Sequence, residues 1–172
     1  MTGSKTRGLL AFIVLASALA GCGVQESPAE NPGNAIEEPT AAIQEREAVI
    51  YYTDAELLET VEQSVKLSYS TDEELVKAAV EALRQEAGGN AQALWKPIEI
   101  TSVGLTDGQV NLDIHIPDEA RLGAPGEMLV IETLQKTLFQ FEFVQSIDLL
   151  VDGDAVESLM GHVDLEHPIK KE

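Results

Sequence analysis

Few side chains in this 172-residue chain could carry chemistry. Cys22 is the single cysteine and so the one thiol. Asp113 and His115 alternate with apolar residues, a pattern that sets an acid and an imidazole on the same face of a strand. His162, Asp164 and His167 lie close together near the C-terminus and carry donor atoms suited to a metal such as zinc. No serine or cysteine nucleophile motif accompanies either group. Gly88-Gly89 follows a predicted helix rather than opening one, so it offers a phosphate no helix N-terminus. The acidic stretch after Cys22 lacks the spaced Asp/Asn ligands and central glycine of a calcium loop. Acids and histidines on a strand are ordinarily a solvated face, so the expectation is no catalytic residue, no metal and no cofactor. Trp95 could stack on a sugar or a peptide, but a half-buried core position is favoured.

The thiol has a clearer use. Lys5 and Arg7 open the sequence, and an uncharged apolar run, 9–18, follows. These are a charged n-region and an h-region of secretory-signal length, too short to span a bilayer comfortably. The run ends in Leu19-Ala20-Gly21-Cys22. This stretch resembles the bacterial lipobox, in which the cysteine is diacylated and the signal is cut just before it. Small residues at Ala20 and Gly21 admit the backbone to a peptidase cleft, and the thiol carries a thioether-linked diglyceride. Cleavage between Gly21 and Cys22 would remove residues 1–21 as a signal peptide. Two or more acyl chains, palmitate among them, would then hold the protein on the extracytoplasmic face of the cell membrane.

Charge excludes other attachments. The net charge is −19, from 11 basic and 30 acidic residues. Without residues 1–21, which hold Lys5 and Arg7 and no acid, the balance becomes 9 − 30 = −21. Nucleic acid is an unsuitable partner for such a chain, and so is an anionic lipid surface. Residues 22–47 hold Pro28, Pro32, Pro39 and many acids, with few apolar residues and no period. They read as a disordered, extended tether.

The elements that must position Asp113, His115 and the C-terminal histidines begin near Ala48. Val49-Ile50-Tyr51-Tyr52 reads as a strand. Residues 60–69 alternate, with Val61, Val65, Leu67 and Tyr69 on one face and Gln63 as the exception. Ser70 and Thr71, followed by Glu73 and Glu74, make two overlapping capping boxes. They open a helix with the stripe Leu75, Val76, Ala79, Val80 and Leu83, ended by Gly88-Gly89. Asp107-Gly108 is a hairpin turn. Its register opposes Leu105 to Val110, Val103 to Leu112 and Thr101 to Ile114, with a bulge expected near Ile98 and Ile100. A second helix starts around Pro125-Gly126 with the stripe Ile131, Leu134, Leu138 and Phe141. A strand with Ile147, Leu149 and Val151 follows, then a turn at Asp152-Gly153 and an edge strand at 156–160. Residues 163–172 read as a polar tail. The architecture expected is an α+β, two-layer domain with two amphipathic helices on one face of a mainly antiparallel sheet. Its core would hold Val65, Leu67, Leu75, Ala79, Leu83, Val103, Leu112, Ile114, Leu134, Leu138, Ile147 and Leu149.

The order of short segments is also informative. Val49-Ile50-Tyr51-Tyr52, Leu94-Trp95-Lys96-Pro97, Val110-Asn111-Leu112-Asp113, Glu132-Thr133-Leu134, Leu150-Val151-Asp152-Gly153 and Gly161-His162-Val163-Asp164 come in the order and spacing of one family. Residues 48–168 resemble the GerMN domain of sporulation and spore germination, leaving 169–172 as a tail. The resemblance implies a fold akin to ring-building modules. It also implies a lipid-anchored, non-enzymatic envelope protein that docks onto a protein partner or onto like domains, or acts near peptidoglycan. The alternative is a lipoprotein that binds an envelope ligand or glycan, or an accessory subunit of a cell-wall hydrolase.

Overall fold

The structure, a computed structural model, describes residues 42–172. The predicted signal and most of the tether, including Gly21 and Cys22, lie outside the described residues.

A long ribbon comes first, made by β1 (Gln44–Thr53) and β2 (Thr60–Tyr69) in antiparallel register. α1 (Asp72–Leu83) follows, then the hairpin of β3 (Glu99–Thr106) and β4 (Gln109–His115). α2 (Ala124–Phe139), β5 (Ser146–Val151) and the short β6 (Ile169–Lys170) complete the chain. The fold is the expected α+β class with two helices. The strands, however, divide into two sheets: the β1-β2 ribbon, and four strands in the order β3-β4-β5-β6. Within the second sheet β4 and β5 are parallel. The reason is connectivity. α2 carries the chain from the end of β4 back to the start of β5, and parallel neighbours need such a crossover.

Both sheets share one core. α1 packs on β1, β2 and β3, and α2 packs on β1 and α1. Of the predicted core, Val65 and Val103 are only partly buried and the other residues are buried. Thr137 of α2 and Gln140, which caps its C-terminus, close the free edge of the ribbon. Gln140 accepts from the Val49 amide at 2.9 Å and donates to the Val49 carbonyl at 2.7 Å, and Thr137 Oγ1 accepts from the Tyr51 amide at 3.1 Å. An unpaired edge would otherwise invite another strand. Gln63, the exception to the β2 alternation, also has a partner. Its amide donates to the Gly88 carbonyl and accepts from the Gly88 amide, at 3.0 and 3.1 Å.

The local signals decide between close alternatives. Of the two capping boxes, the structure uses Thr71 as N-cap: its hydroxyl accepts from the Glu74 amide at 3.2 Å. Glu74 reaches back to the Ser70 amide at 2.7 Å, and Glu73 instead pairs with Lys77. α1 ends at Leu83, ahead of Gly88-Gly89. In the hairpin, Leu105 faces Val110 and Val103 faces Leu112 as expected. The bulge falls between Ile100 and Ser102, so Ile100, not Thr101, faces Ile114. Asp107 (φ 49°) and Gly108 (φ 81°) both take left-handed backbone, as a type I′ turn requires.

Two expected boundaries move. The first strand opens at Gln44 rather than near Ala48, so the end of the predicted 22–47 tether is paired with β2. At the other end, residues 156–160 are not a strand, and the expected 169–172 tail contains β6, where Ile169 pairs with Ile147. Leu159, Leu165 and Ile169 are buried in the core.

Candidate functional site

Asp113 and His115 project from β4 toward the turn that follows β5. The parallel register sets Ile114 beside Val151, which brings Asp152-Gly153 over the end of β4. Asp113 Oδ1 accepts from the Gly153 amide at 2.8 Å. His115 Nδ1 lies 2.8 Å from Asp152 Oδ1, and since a carboxylate only accepts, that nitrogen donates. The hydrogen bond to Asp152, then its charge, holds the His115 pKa above the ordinary imidazole value. The turn itself has Asp152 at φ 54° and Gly153 at φ 84°, again type I′. The two residues therefore serve one turn and do not form an acid–base pair with each other. Asp113→Asn and His115→Gln are expected to leave the fold intact and the melting temperature nearly unchanged, which thermal unfolding of each variant checks.

The C-terminal group is dispersed as well. His162 contributes its backbone amide to Glu127, and His167 bonds Asp148 and the Val156 carbonyl. Among the described residues, no three His, Cys, Asp or Glu side chains are placed to hold a metal. Trp95 is 1% exposed, deeper than the half-buried position expected. Its indole N–H donates to the Val130 carbonyl at 3.1 Å and to Thr133 Oγ1 at 3.2 Å, so no face is open to a sugar.

Glu127 is the polar residue that sequence reasoning passes over. It sits in the first turn of α2, where an acid suits the helix dipole and is normally solvated. Here it is fully buried. Oε1 accepts from Ser158 Oγ at 2.6 Å and the Met160 amide at 2.9 Å; Oε2 accepts from the His162 amide at 2.9 Å. Burial works against the charge, but together these donors outweigh it and hold the carboxyl below its usual range. Glu127 thus fastens the 158–163 segment, including Gly161-His162-Val163, to α2. Beside it, Gly126 permits a close approach: a Cβ there would lie 2.7 Å from the Leu122 side chain.

The chain from Val163 to Glu172, which continues from that segment, forms one wall of a groove of about 700 Å³. The other wall is the outer side of α2, with Met128, Ile131, Glu132, Lys136 and Phe139. Val163, Leu165 and Ile169 complete an apolar floor. Met128 is 55% exposed there, one of the large apolar side chains left open. Lys136, Lys170 and Lys171 rim the groove, interleaved with Glu132, Asp164, Glu166 and Glu172. Among the described residues, no helix is long and apolar enough to cross a membrane.

Fold and site together define a small α+β module whose polar constellations are tied into its own framework and whose open feature is an apolar groove along a helix. The chain belongs to the Germane family, described as sporulation and spore germination, whose model matches residues 49–157. Three solved structures share the fold. The first GerMN domain of the sporulation protein GerM from Bacillus subtilis superposes with a TM-score of 0.58 at 17% identity, covering 73% of this chain and 98% of that one. A candidate lipoprotein from Clostridium perfringens gives 0.51 at 23% identity, covering 79% and 93%. The tandem GerMN domains of the same GerM give 0.51 at 18% identity over 83% of this chain, which spans about half of that one (49%). No curated protein matches the chain.

Proposed function

We propose that this protein is a lipid-anchored, non-catalytic module of the cell envelope that assembles complexes by docking its α2 groove onto a like domain. The observation that carries the reading is the contrast within the module. His115 and His167 are spent on bonds to Asp152 and Asp148, while Met128 stays open at the groove. Exposed apolar surface rimmed by charge is the usual mark of an interaction site. The rim alternates Lys136, Lys170 and Lys171 with Glu132, Asp164, Glu166 and Glu172, so a like domain that carries the same mixed rim can pair both signs of charge across the contact. Family membership supports a setting in sporulation or germination. The groove's volume alone would suit the alternative, a ligand or glycan. Against it, the aromatic residue of the lining is Phe139, partly buried, and glycan sites favour open aromatic faces.

Docking is tested by sedimentation velocity. Met128→Glu should weaken association with like domains at least tenfold without altering the fold, and an unchanged association constant counts against the groove. Anchoring is tested separately. With so acidic a chain there is no electrostatic fallback, so Cys22→Ala should move the protein from the membrane to the soluble fraction. Retention of that variant on membranes washed in high salt would show that another attachment holds it.

A further inference from the structure

We propose that His167 is a proton-operated clasp that keeps the C-terminal strap, residues 165–171, closed over the edge of β5. The proposal goes beyond the docking reading and stands without it. Buried Leu165 and Ile169 seat the strap in the core, and the Lys171 ammonium donates to the Phe141 carbonyl at 3.1 Å, but its regular pairing is short. Its strand, Ile169–Lys170, is only two residues long. Leu165 N donates to the Glu157 carbonyl at 2.9 Å, and Lys171 N donates to the Gln145 carbonyl at 3.0 Å. Between these bonds His167 bridges the strap by its side chain to β5 and to the segment that follows β5. Its Nδ1 lies 2.9 Å from Asp148 Oδ1 on β5, and its Nε2 lies 2.8 Å from the Val156 carbonyl.

Both of those partners accept only. A carbonyl oxygen has no proton to give, and neither has an ionised carboxylate. Both ring nitrogens must therefore donate, which only the imidazolium can do. A neutral ring, in either tautomer, turns a lone pair toward the Asp148 carboxylate or toward the Val156 carbonyl. The side chains of His167 and Asp148 are 20% and 25% exposed, so water compensates only in part. The bond to Asp148, then the bond to Val156, holds the His167 pKa above its ordinary value, with burial working against them. Asp148 on β5 is the charge that acts on the ring among the described residues, and the segment after β5 presents the Val156 carbonyl. Because the folded pKa is raised, the clasp is fully closed below the unfolded imidazole pKa, about 6.5. It is lost as pH rises through the folded value. Loss of the clasp bares the pairing edge of β5 at Ser146–Ile147 and loosens one wall of the groove.

The test is amide hydrogen exchange by NMR on the full chain, followed with the His167 ring signals across the titration. The Lys171 amide reports the strap, and the Thr53 amide, bonded to Gln92 O at 3.1 Å in the ribbon, reports the rest of the fold. The Lys171 protection factor should fall as His167 deprotonates, by up to about tenfold for each unit by which folding raises the pKa, while Thr53 stays constant. In His167→Gln the dependence should vanish. A Lys171 protection factor that is flat through the titration, or a dependence that persists in His167→Gln, overturns the proposal. Should that variant fail to fold, Asp148→Asn decides: it keeps the ring but removes its charge partner, so the midpoint of Lys171 loss should move to lower pH. An unmoved midpoint overturns the clasp.

Discussion

Leu134→Ala is expected to lower the unfolding free energy by about 2–5 kcal/mol, measured by urea denaturation at neutral pH. Leu134 is fully buried in the middle of α2, within the single core that the ribbon, α1 and the mixed sheet share. Truncation removes the apolar atoms and leaves a cavity that the close-packed core can only partly collapse. Trp95 bonds the neighbouring turn at Val130 and Thr133, which limits how far α2 can shift to fill the space. The denaturant slope should be unchanged, since the folded state stays compact. A loss of under about 1 kcal/mol would mean that α2 packs more loosely than the structure shows.

Glu127→Gln is expected to destabilise by about 2–4 kcal/mol, because hydrogen bonds to a buried charge are strong and buried donors left unpaired are costly. The amide keeps one acceptor and turns an NH₂ group toward backbone N–H groups of Met160 or His162. The pH dependence gives an independent check. The Glu127 carboxyl is held low, so its contribution is present above the unfolded carboxylate pKa, about 4.3. It is lost as pH falls through the folded value. Stability of the natural chain should therefore decline in acid more steeply than that of Glu127→Gln. Equal acid slopes would contradict the role of this carboxylate.

These two residues also show what the sequence makes legible. Leu134 belongs to a period-3.6 stripe, and Leu75, Ala79 and Leu83 to another, so both helices are legible, although α2 ends at Phe139, short of Phe141, and also buries Leu129, Val130, Thr133 and Thr137. The Asp-Gly turns at 107–108 and 152–153 were equally readable, because few residues besides glycine accept the left-handed backbone there. Glu127 was not readable. An acid in a first helical turn looks the same whether water or a buried loop supplies its donors. The strap was missed for a related reason: Leu159, Leu165 and Ile169 are buried from irregular chain, with no period to announce them. The division into two sheets and the parallel β4–β5 pair depend on contacts distant in sequence, which alternation cannot specify. The parity of Asp113 and His115 was right, but their partners arrive with a turn far along the chain.

The central claim is that the module works by docking and not by chemistry at its histidines. One complementation measurement tests it, in a strain whose deletion of this protein has a measurable envelope or sporulation defect. Met128→Glu should fail to restore the phenotype although it folds and reaches the membrane. The double variant Asp113→Asn, His115→Gln should restore it fully. Rescue by Met128→Glu together with failure of a folded double variant would contradict the account and place the function at the end of β4.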